Sequence, residues 1–111
     1  MNRIPMSAAA SAILRILIAR AGVGRDRILL SDASSADWQS LTFAGERHLI
    51  ELRVSGPDSQ AIVERMCAGL EDAEFSIPGV LVADIGVAHA PVIAPDGSTT
   101  VTIEALTIEV Y

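Results

Sequence analysis

Two histidines and a small set of carboxylates and arginines are the groups in this 111-residue chain able to do acid–base or ligand chemistry. His89 and Glu104 come first. If the C-terminal segment folds as a β-hairpin turning on Asp96-Gly97, a type I′ register sets His89 directly across from Glu104. A carboxylate beside an imidazole orients the ring and favours its charged form, so the pair can act as an acid–base couple or hold a ligand. It can also be a plain polar pair at a sheet edge, and that structural role is the reading of first choice. His48 is the third catalytic candidate. With Glu46 and Arg47 beside it, it suits an anionic substrate. Trp38 and Arg53 complete the ligand-binding candidates. A hairpin of Trp38–Ala44 and Arg47–Val54 around Gly45-Glu46 would oppose them as a cation–π pair, worth roughly 0.5–1 kcal/mol.

Beyond these residues the chemistry thins out. No nucleophile elbow, His-Glu-x-x-His zinc motif or metal-spaced Cys/His cluster occurs, so neither a metal nor a cofactor is expected. Gly22 and Gly24 follow a predicted helix instead of opening one, the wrong order for a phosphate loop, and read as a helix C-cap. Cys67 falls inside an apolar helical stripe and reads as a packing residue, with a reactive thiol as the lesser alternative. A single cysteine excludes an internal disulfide and fits a reducing, cytoplasmic setting.

Composition narrows the class further. The net charge is −6, no lysine is present and no basic stripe appears, which argues against nucleic acid as a partner. No apolar run reaches the length of a membrane span, and the first predicted helix lacks the basic face of a membrane-surface helix. Half of the residues are hydrophobic but only 4% are aromatic. The apolar mass is therefore Ala, Val, Ile and Leu, and it is more than a small monomer hides easily. A homodimer or higher homo-oligomer is expected, joined through the 79–111 hairpin and helix 7–21.

These residues need a scaffold, and the pattern predicts a single domain over residues 1–111. Ser7 caps a helix to Ala21, whose apolar residues leave only a narrow polar face. Ile28–Leu30 is a short strand, and Ser31–Asp37 a polar connector with turn chemistry or, as a second reading, a functional loop. After the Gly45-Glu46 hairpin, Ser55 caps a second helix with Ile62, Val63, Met66, Cys67, Leu70 and Ala73 as its buried stripe. Glu71, Asp72 and Glu74 read as the start of a solvated loop. The long hairpin closes the chain. Its predicted register opposes Val87 with Leu106, Ile85 with Ile108, and Asp84 with Glu109. That register makes the hairpin apolar on one face at its base and on the other near its tip, so the distal half should extend beyond the domain.

The fold class is α+β: a two-layer structure with an antiparallel or mixed sheet and two helices on one face. Set aside the weak strand and the order is αββαββ, which resembles a circularly permuted ferredoxin-like plait. That resemblance implies a final strand in the middle of the sheet and an open sheet face left for a second subunit. Two functions follow. The first is a non-catalytic homodimeric binding or assembly domain. The second is a small enzyme with an acid–base site at a subunit interface near His89 and Glu104 or near His48. A component of a larger ordered array is a third.

Overall fold

A computed structural model of the chain describes residues 4–110. Helix α1 spans Ala8–Ala21. The Ser7 side chain accepts the Ala10 amide at 3.2 Å, and Gly22 ends the helix in the left-handed conformation, as the sequence predicts. Ala9, Ala10, Ile13, Leu17 and Ala21 form its buried face. Helix α2 is shorter, Ser59–Cys67, and begins later than expected. Ser55 does not cap it: its hydroxyl and amide both donate to the Arg27 carbonyl, and Asp58 pairs with Arg27 instead. Of the predicted stripe, Ile62, Val63 and Met66 are buried on α2 with Cys67 packed against them, Leu70 is buried in the short 3-10 turn that follows, and Ala73 lies half-buried beyond it.

Strands β1 (Ile28–Gln39), β2 (Ala44–Val54), β3 (Val80–Val87), β4 (Val92–Ile93) and β5 (Thr99–Glu109) make one antiparallel sheet. Its order is β1-β2-β5-β3, with β4 continuing the β3 edge along the other end of β5. The final strand therefore lies between β2 and its own hairpin partner. Both helices contribute to one core with Ile50, Leu52, Val54, Ile85, Val101, Ile103 and Ala105, all from one face of the sheet. The opposite face has no helix upon it.

Three expectations are corrected. First, Ser31–Asp37 is no connector; it is the middle of the 12-residue edge strand β1. Its Ser and Asp residues carry turn signals, but pairing along β2 overrides them. A bulge at Ser31 resets the register between Leu30 and Asp32. Second, Gly45-Glu46 is not a turn. The chain reverses at Ser40–Phe43, where the Ser40 hydroxyl accepts the Thr42 and Phe43 amides at 3.3 and 3.0 Å. Trp38 then faces Gly45, not Arg53, whose partner is Leu29. Third, the long hairpin is displaced by three residues over most of β3. Ile85 opposes Ala105, Val87 opposes Ile103, and Asp84 opposes Leu106.

That displacement has identifiable steps. The turn holds Pro95, Asp96 and Gly97 between the paired Ala94 and Ser98. It is a three-residue loop with Gly97 at φ +87°, the geometry of a type I turn followed by a left-handed residue. The irregular Ala88–Pro91 segment adds two more residues, and a bulge at Ala83 adds a fourth for Val80, Leu81 and Val82 alone. The distal half of the hairpin does not leave the domain. β5 pairs with β2 along Thr99–Ile108, and Thr99, Val101 and Ile103 are fully buried.

Candidate functional site

The register separates the first candidate pair. Glu104 lies on the helix-free sheet face between Leu49 and Gly86. His89 sits in the bend between β3 and β4, exposed, with its Nδ1 3.4 Å from the neighbouring Ala90 carbonyl. They form no cross-strand couple. Asp84 and Glu109 are likewise not opposed, so the predicted like-charge contact does not exist.

The ligand-binding candidates are spread along β2 and its neighbours. Trp38 and Arg53 lie at opposite ends, the eight steps from Gly45 to Arg53 spanning roughly 27 Å of strand. Trp38 covers Gly45, and its indole N–H donates to the Thr107 carbonyl at 3.3 Å. It lines a shallow depression of about 500 Å³ with Asp37, Gln39, Ala44, Gly45 and Glu109. Arg53 pairs with Asp96 and donates from Nε to the Ser98 hydroxyl at 2.9 Å. Asp96 also accepts the Ser98 amide and hydroxyl, and these bonds, with the Arg53 guanidinium, hold its carboxyl down to about 2. Arg47 and Glu104 are exposed neighbours on the open face, diagonal across β2 and β5. Glu46 is half-buried, and its charge acts on His48.

His48 is where the geometry converges. Strand alternation turns it to the helix side with Ile50 and Leu52, and it is 0% exposed. Its Nε2 lies 2.9 Å from Thr107 Oγ1, and its Nδ1 lies 2.7 Å from Ser35 Oγ. The Thr107 hydroxyl donates onward to the Glu46 carbonyl at 3.4 Å. In the Nε2–H tautomer Thr107 Oγ1 accepts from the ring while donating to that carbonyl, and the Ser35 hydroxyl donates to Nδ1. Burial pushes the His48 pKa below its ordinary 6.5, with Glu46 opposing weakly, and the ring is neutral at pH 7. Ser35 itself is exposed. The chain Ser35–His48–Thr107–Glu46 thus joins a surface hydroxyl to a neutral, oriented imidazole.

Sequence reading found His48 but missed both partners. Ser35 lay inside a segment taken for a connector. Thr107 carried a usable signal, since it alternates with Ile103 and Ala105 on the buried face of β5. Elsewhere, Cys67 is half-buried, and burial raises its thiol pKa against the pull of Arg20. Among the described residues, no three His, Cys, Asp or Glu side chains come together as a metal site, and no helix is long and apolar enough to cross a membrane. No family model, curated protein or solved structure matches the chain.

Proposed function

We propose that the protein is a homodimeric assembly module whose helix-free sheet face packs on the same face of a second copy. The observation that carries this is the make-up of that face. Leu29, Leu49, Leu81 and Val92 are exposed upon it, with Trp38, Leu106 and Ile108 half-buried among them. Helix α1 adds no large exposed apolar side chain, so the sheet carries the interface.

Surface area supports the reading. The chain exposes 6844 Å², whereas a folded monomer of this mass exposes about 5,900 Å². Four strands about 4.8 Å apart present on the order of 600 Å², close to the roughly 800 Å² per partner of a stable interface. One pair among the charges on that face, Arg47 and Glu104, is also self-complementary. Arg47 opposes Leu106, and Leu49 opposes Glu104, so the four make a quadrilateral with Arg47 and Glu104 at opposite corners. A two-fold axis lying in the interface along the Leu49–Leu106 diagonal sets Arg47 of one copy over Glu104 of the other. The two sheets then cross steeply, as in orthogonal packings. A cytoplasmic setting belongs to this reading, supported by the free, half-buried Cys67.

Light scattering on a sizing column tests it. Two 11.7 kDa chains should elute together at micromolar concentration, and Leu49→Asp should yield a folded monomer. A wild-type chain that runs as a monomer at that concentration rejects the proposal.

A further inference from the structure

We propose that Ser35 is a nucleophile activated by His48, and that together they hydrolyse small carboxylic esters with good leaving groups. The site is independent of the dimer face, since His48 points to the opposite side of the sheet.

Four features support it. The Ser35 Oγ–His48 Nδ1 distance of 2.7 Å is that of a working nucleophile–base pair. Thr107 Oγ1 holds Nε2 and can accept its proton, and the Nε2–H tautomer leaves Nδ1 basic. The ring is buried and Ser35 is an exposed residue bonded to its Nδ1, so substrate, leaving group and water meet the base only where Ser35 covers it. Ser35 also sits on an edge strand between Ser34 and Ala36, with no bulky side chain beside it in sequence. Every second residue of an edge strand turns its N–H outward, so a donor for an oxyanion lies at Ser35 or an adjacent position. A leucine at position 48 would serve packing alone without this buried polar chain.

The step balances within the chain and water. Ser35 Oγ attacks the ester carbonyl carbon while its proton passes to His48 Nδ1. The adduct collapses, the acyl C–O bond breaks, and the departing oxygen takes that proton. Water then attacks acyl-Ser35, giving its proton to Nδ1, and the carboxylic acid leaves as Oγ recovers a proton. Thr107 is a hydroxyl where efficient triads place a carboxylate, so it stabilises the imidazolium less. That restricts the site to reactive esters.

The test uses the intact protein with a fluorophosphonate probe and 4-nitrophenyl acetate, read by peptide mass mapping and absorbance. Ser35 should be labelled at least about 100-fold faster than the neighbouring Ser34, the range general-base assistance supplies. Ser35→Ala should abolish adduct and turnover. Thr107, a positioning residue, should lose most of the rate as Thr107→Val and recover it as Thr107→Ser. Equal labelling of Ser34 and Ser35, or turnover unchanged in Ser35→Ala, overturns the proposal.

Discussion

At the scale of single residues, Gly45 and His48 show how position outweighs residue type. Gly45 looks like a turn former, yet it lies within β2 because nothing larger fits. A Cβ there would come within 1.8 Å of the Thr107 carbonyl oxygen and 3.0 Å of the Trp38 indole nitrogen. Glycine in a strand often marks such a close backbone approach. Gly45→Ala should therefore cost about 2–3 kcal/mol of stability, seen as a lower urea midpoint, while an unchanged midpoint would mean that β2 and β5 do not approach this closely. His48 makes a prediction of its own. Its folded pKa is depressed by burial, so its neutral form contributes stability that is fully present above the unfolded value of about 6.5. That contribution is lost as the pH falls toward the folded pKa. Urea midpoints should drop between pH 7.5 and 5, and His48→Gln should flatten that part of the curve. A wild-type midpoint that holds steady over this range would place the ring in contact with solvent.

At the scale of elements, helices were legible and strand registers were not. α1 announces itself by a cap, an apolar run and a terminal glycine, all local signals within 16 residues. β1 is half solvent and half partner, and Ser34, Ser35 and Asp37 give no alternation that a reader can separate from a loop. The order of elements nevertheless put the final strand in the middle of the sheet, through the likeness of αββαββ to a circularly permuted plait, and β5 does lie between β2 and β3. What failed was counting. One extra loop residue at Pro95 and the irregular Ala88–Pro91 segment moved His89 away from Glu104, and with it the leading catalytic candidate. His48 survived because it depends only on parity within β2. The turn itself is testable. Asp96 is held down to about 2 by Ser98 and Arg53, so its ionised form contributes stability present above its unfolded value near 3.8 and lost as the pH falls through 2. Unfolding followed from pH 5 to 2 should show a loss in the wild type that Asp96→Asn lacks. Parallel curves for the two would detach Asp96 from the stability of the turn.

At the scale of the whole molecule, the fold is a slab. Its extents are 46 × 33 × 23 Å, and its radius of gyration of 14.2 Å exceeds the roughly 13 Å of a compact chain this long. A slab with helices on one side keeps half of its sheet surface in water, and here that half carries leucines among Asp32, Arg47, Glu51, Arg53, Asp84 and Glu104. Association through this face ties stability to concentration, because anything that binds only the folded state raises its melting temperature by mass action. The midpoint of thermal unfolding should rise between 1 and 100 μM, taken as about two decades of concentration. Leu49→Asp should remove the dependence without removing the cooperative transition. The proposed axis is then tested by exchange of charge. Arg47→Glu sets an acid over the partner's Glu104 and should weaken the dimer, and Glu104→Arg should do the same by opposing two arginines. The double exchange restores opposite charges at both contacts and should recover most of the affinity, with a coupling that shrinks as salt is added. If the double variant is weaker than either single one, Arg47 and Glu104 do not meet across the two-fold, and a different alignment of the two sheets must bury Leu49.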